Sequence, residues 1–103
     1  MININELQLQ LNEELEDYEE VIRNVKTILT TPKGTVPFDR EFGIDWSIVD
    51  QPMARAKSLL AAEYAKQIRK YEPRVRVREV NYETKTTEAQ DGILVPKVVL
   101  ESG

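Results

Sequence analysis

Neither cysteine nor histidine occurs among the 103 residues. Disulfides, thiolate nucleophiles, histidine bases and the usual zinc ligands are excluded together. Any chemistry would have to rest on carboxylates, lysine, tyrosine or hydroxyls, and neither a metal nor a cofactor is expected. No apolar run approaches membrane-spanning length, and no signal-peptide pattern opens the chain, so a soluble protein made in the cytoplasm is expected. Basic residues number 14 against 18 acidic, for a formal charge of −4. That balance argues against nucleic acid as the main partner. The length suits one domain over 1–103, burying roughly 60–70% of its unfolded surface around one modest core.

The pattern that is present changes period along the chain. Leu7, Leu9 and Leu11 alternate, so residues 1–11 read as an N-terminal arm or short strand. From there Leu11, Leu15, Tyr18, Ile22, Val25 and Leu29 recur every three or four positions, the spacing of one helical face. Asn12 is a candidate cap, and acids precede bases in the order that suits the helix dipole. Thr30, Thr31 and Pro32 end this helix. The connection over 31–52 is long, and Phe38, Phe42 and Trp46 read as aromatics that pin it to the core. Gly34 and Gly43 supply its tight turns.

A second helix is expected from Pro52 to Tyr71, with Asp50 as its cap and a stripe of Met53, Ala56, Leu60, Tyr64, Ile68 and Tyr71. Pro73 disfavours helical geometry at Glu72 and closes it. Val75 and Val77 share one parity, Val80 and Tyr82 the other. One strand can turn all four inward only with an extra residue, which predicts a β-bulge near Arg78–Glu79. Asp91-Gly92 reads as the tightest point of the following turn. The last strand places Leu94, Pro96, Val98 and Leu100 on one face, and Pro96 marks an edge or an irregularity. The expected class is α+β, with two main helices packed on a small antiparallel sheet that ends in a C-terminal β-hairpin.

Three groups of residues could carry function. Glu72 lies at the negative end of a helix dipole and needs a cation. Paired with Arg74 across Pro73 it is either a local surface pair or a charged corner pointing outward to a partner. Arg74, Arg76 and Arg78 alternate, giving either a basic docking stripe or a solvated strand face. Asp39, Glu41, Asp45 and Asp50 could offer the two carboxyls of a glycosidase, although acids are abundant enough for such a pair to arise by chance. The "PKGT" segment lacks the remaining glycines and the lysine–hydroxyl pair of a phosphate-binding loop.

An amphipathic helix running into "ILTTPKGTVPFDREFGID", then a second helix leading into "EPRVRV" and a hairpin, resembles the small baseplate wedge proteins of contractile phage tails. Relatives of that family serve type VI secretion and other contractile injection systems. The resemblance covers about 15–100. It implies a structural protein rather than an enzyme, acting with other baseplate wedge proteins and with the sheath protein, in several copies, within a phage-tail-like particle. Glu72, Pro73 and Arg74 would form the contact corner, and the docking reading of the arginine stripe adds Arg76 and Arg78 as partner-binding residues. Gly34, Phe42 and Gly43 would shape the adjoining loop. Ile93, Leu94, Val95 and Val98 would offer an edge to the first sheath ring by strand pairing. A carboxylate-based lysozyme-type glycosidase and a small regulatory adaptor are the alternatives.

Overall fold

The apolar spacing of the second half of the chain becomes one long helix and a strand pair. A computed structural model describes residues 2–13, 15–87 and 90–103. A 3-10 turn at Ile4–Glu6 leads into strand β1 (Gln8–Leu11) and helix α1 (Tyr18–Thr30). A second 3-10 turn (Trp46–Asp50) precedes helix α2 (Met53–Tyr71), and strands β2 (Val75–Thr87) and β3 (Gln90–Ser102) close the fold. The strands lie in the order β1-β3-β2.

The α+β class, the two helices and the terminal strand pair are as expected. The sheet is mixed rather than antiparallel throughout: β2 and β3 are antiparallel, while β1 runs parallel to β3, Gln8 beside Lys97 to Leu11 beside Leu100. Burial drives this addition. Ile2, Ile4, Leu7 and Leu11 all enter the core, so the N-terminal segment must lie along the sheet. The parallel ladder begins at Lys97, one residue after Pro96, which has no N–H to donate.

This arrangement corrects the expected edge. β3 is the central strand. β2 flanks Ile93, Leu94, Val95 and Val98 through Lys85, Thr84, Glu83 and Val80 respectively. On the other side Ile2 bridges Leu94, the Asn3 N–H reaches the Leu94 carbonyl at 2.9 Å, and Leu9 pairs with Val98. The outer strands are β1 and β2.

The expected bulge is present. Val77 pairs with Leu100 and Glu79 with Val99, leaving Arg78 without a partner residue on β3. The extra residue brings Val75, Val77, Val80 and Tyr82 together beneath the helices, and the Tyr82 hydroxyl donates to the Lys57 carbonyl on α2 at 3.0 Å. The chain reversal differs from expectation. Lys85 pairs with Ile93, which centres it before Asp91-Gly92, and both of those residues lie within β3. A long register set by packed pairs such as Val80 with Val98 outweighs a local turn preference.

The helices differ at their starts. α1 begins at Tyr18 instead of Asn12, because Leu11 is taken into the sheet and cannot share a helical face with Leu15. Its buried positions are Val21, Val25, Ile28 and Leu29, and Tyr18 is exposed. α2 begins after Pro52, while Asp50 ends the preceding 3-10 turn. That turn is capped by Asp45, whose carboxylate accepts from the Ser47 N–H at 3.0 Å and from its hydroxyl at 2.7 Å.

Tyr64 lies at the centre, 0% exposed. Among the described residues its hydroxyl has no hydrogen-bond partner, and burial pushes its pKa up. A buried unpaired polar atom costs about 1–3 kcal/mol. Tyr64→Phe should therefore leave stability unchanged or raise it by about 1 kcal/mol, read by urea denaturation. A loss of more than about 1 kcal/mol would show that the hydroxyl is satisfied.

Candidate functional site

The corner after α2 is built around an inward-turned carboxylate. Pro73 ends α2, and the Glu72 N–H completes its last turn by donating to the Ile68 carbonyl at 2.8 Å. Glu72 is 3% exposed. Its two oxygens accept from Arg74 side-on, Nε to Oε1 at 2.6 Å and Nη2 to Oε2 at 2.8 Å. Asn24 of α1 adds a third donor, Nδ2 to Oε2 at 3.0 Å. Arg74 continues to the start of α1, with Asp17 at 3.4 Å and Glu20 at 3.7 Å.

The expectation that Glu72 points outward is thus corrected. A charge at the negative end of a helix dipole is stabilised only by close cations and donors, and those it has lie within the chain. The clasp joins the end of α2, the start of β2 and the first half of α1. Arg74 hydrogen bonding holds the Glu72 carboxyl below its usual pKa, against the opposing effect of burial. Asp17 sits at the α1 N-cap without a side-chain cap bond, its carboxylate being turned to Arg74.

Arg74, Arg76 and Arg78 do not form one stripe. Arg74 folds back into the clasp, and Arg76 pairs with Glu101 at 2.7 Å on the sheet face away from the helices. Arg78 is exposed at the bulge. Pro73 and Arg76 instead border a groove of about 350 Å³ between α2 and β2, whose other walls include Ala65, Arg69, Val75 and Val77.

The loop before α2 packs beside the C-terminal half of that helix. Phe42 meets the Tyr71 ring edge-on, centroids 4.8 Å apart. The Tyr71 hydroxyl donates to Asp39 at 2.7 Å, and Lys70 pairs with Glu41 at 2.8 Å. Gln67, buried on the same helical face as Leu60 and Tyr64, accepts from the Gly43 N–H at 2.9 Å and donates to the Glu41 carbonyl at 3.1 Å. Sequence reasoning missed Gln67. The available signal was a polar residue three positions after Tyr64 on an otherwise apolar stripe.

Two glycines of this loop take a positive φ, a conformation that a side chain resists. Gly34 has φ +90° and Gly43 φ +103°. At Gly43 an added Cβ would also run into the Thr31 carbonyl oxygen, since the segments meet there: the Ile44 N–H donates to Thr31 and the Lys33 N–H to Ile44, both at 2.9 Å. The pinning role expected of the aromatics holds for Phe42 and Trp46, which pack on the core, but not for Phe38, which is wholly exposed.

The family profile described as baseplate wedge protein gp25 matches residues 4–98. The chain belongs to that family. No curated protein matches it. A crystal structure from Geobacter sulfurreducens, of a protein provisionally named a tail lysozyme, is 15% identical with a TM-score of 0.53. The alignment covers 87% of this chain and 94% of that one, and shows a shared fold.

Removing one partner of a fully buried ion pair costs about 3–5 kcal/mol. Arg74 is 39% exposed, so Arg74→Ala should cost less, about 2–3 kcal/mol, measured by chemical denaturation. A loss below about 0.5 kcal/mol would reduce the clasp to an ordinary surface pair.

Glu72, Asp39 and Glu41 all hold their protons less readily when folded, through Arg74, Tyr71 and Lys70 respectively. Their stabilisation is present above the unfolded carboxyl pKa of about 4 and is lost as pH falls through the lower native values. Denaturation midpoints should fall below that pH, and Glu72→Gln should flatten the decline. An unchanged acid limb in the variant would contradict this.

Gly43→Ala should cost at least about 2 kcal/mol, from positive φ and the contact with Thr31. A melting temperature equal to that of the wild type would show that the loop can shift to accept a side chain.

Proposed function

We propose that this chain is a structural wedge component that joins neighbouring baseplate proteins at the Pro73–Arg78 corner and templates the first sheath ring by strand pairing. Family membership over residues 4–98 carries the reading. The corner fits it for physical reasons. The clasp fixes where Pro73 and Arg74 stand and the Glu101 pair holds Arg76, so little ordering entropy would be lost on docking. The groove between α2 and β2 combines apolar walls with Arg69 of α2, suited to an acidic segment with apolar anchors. Glu72 serves indirectly, by holding Arg74.

Strand pairing belongs to an outer strand, and β2 is the longer of the two. Beyond the bulge at Arg78 its backbone runs from Glu79 to Thr87 beside β3. An added strand would take affinity from main-chain hydrogen bonds and register from alternate side chains.

The lysozyme-type reading gains one observation, the name of the Geobacter protein. Four of the carboxyls argue against it. A glycosidase needs one acid with its pKa raised towards neutrality. Asp39, Glu41, Asp45 and Glu72 are all shifted the other way by hydrogen-bond donors and cations.

Co-expression with the sheath and wedge proteins encoded beside this chain tests the proposal. Wild type should be retained, an Arg74→Ala/Arg76→Ala variant that still folds should be lost, and neither should clear peptidoglycan. Equal retention of both would remove the corner from the interface. Clearing that depends on one carboxyl would favour the enzyme.

A further inference from the structure

Among the described residues Phe38 is the outlier of the surface. Its relative exposure is 102%, so folding removes none of it from water, whereas the other exposed large apolar side chains described reach only 36–40%. A single exposed apolar residue is ordinarily unremarkable. Here the loop that presents it is held in place around it. The Asp39 N–H donates to the Val36 carbonyl at 3.2 Å and the Phe42 N–H to the Asp39 carbonyl at 3.3 Å, two successive turns that meet at Asp39 and hold Phe38 in the first and Arg40 in the second. Tyr71, Lys70 and Gln67 of α2 then fasten Asp39, Glu41 and Gly43. An aromatic side chain on a pre-ordered loop has the character of a binding hot spot: large apolar area, few torsions to freeze and little backbone ordering to lose.

The charges of the loop give the partner a sign. Lys33 pairs with Glu63 at 2.7 Å, Asp39 accepts from Tyr71, and Glu41 pairs with Lys70. Arg40, two positions from Phe38, makes only a 3.4 Å hydrogen bond to the Gly34 carbonyl, and among the described residues it has no ion pair. The tip therefore offers one apolar anchor beside one uncommitted guanidinium.

We infer that the Phe38–Arg40 tip is a second docking element, which inserts Phe38 into an apolar pocket bordered by a carboxylate on a neighbouring baseplate protein. This rests on the wedge reading, but it concerns a different surface from the Pro73–Arg78 corner. The Phe38 ring fills the pocket, and Arg40 sets orientation through a planar ion pair at its rim.

The test uses each baseplate protein encoded beside this chain, purified singly, as the probe in a calorimetric titration. Wild type should bind one of them. Phe38→Ser should weaken that affinity about thirtyfold with an unchanged melting temperature, because Phe38 buries nothing in the free chain. Leu59→Ser, at an exposed apolar site on α2, should bind as wild type does. Arg40→Ala should lower the salt dependence of the affinity. Equal affinities for Phe38→Ser and wild type would overturn this inference and leave the wedge reading standing. Phe38-dependent self-association of this chain would overturn the assigned partner. Failure of wild type to bind any of these proteins would overturn both readings.

Discussion

A carboxylate placed at the wrong end of a helix holds this fold together. Glu72 meets the negative end of the α2 dipole while almost fully buried, a position that is unfavourable unless cations and donors surround it. Arg74 supplies two hydrogen bonds across the proline and Asn24 supplies a third from α1. Three elements are tied at one point. The clasp fixes how β2 leaves α2 and passes α1, while packed pairs and burial place β3 and β1.

In the proposed docking role the corner would also relate stability to assembly. A buried ion pair seldom contributes much net stability over an apolar replacement, but it is costly to break and it restricts geometry. In a protein of the baseplate wedge family, whose role is structural, fixed geometry is the useful property. Arg74 faces inward to Glu72 and outward to water at once. Loss of assembly in a corner variant therefore has two physical routes, removal of a contact or release of the corner, and folded-state stability separates them.

Local chemistry was legible in the sequence. Pro73 ended α2 where steric restriction requires, the parity change between Val77 and Val80 announced the bulge, and the pattern of helix, loop, helix and strand pair indicated the class. What stayed hidden depends on contacts distant in sequence. Parallel pairing of Gln8–Leu11 with Lys97–Leu100 joins positions about ninety apart, and no local pattern specifies it. That pairing moved the sheet edge away from Ile93–Val98 and delayed the start of α1 by withdrawing Leu11. The charge pair of Glu72 and Arg74 was legible, but not its inward direction, which depends on Asn24, Asp17 and Glu20 arriving from α1. Phe38 and Phe42 look alike in sequence, and only the reach of Tyr71 separates the packed ring from the exposed one.

The central claim is that Glu72 and Arg74 act as one unit inside the folded chain. A double-mutant cycle with Glu72→Gln, Arg74→Ala and the pair, read by urea denaturation at neutral pH, measures their coupling directly. The clasp predicts a coupling of about 1.5–3 kcal/mol, the double variant losing far less than the two single losses combined. Additive losses within about 0.5 kcal/mol would mean that the two residues act separately, and the account of the corner would fail.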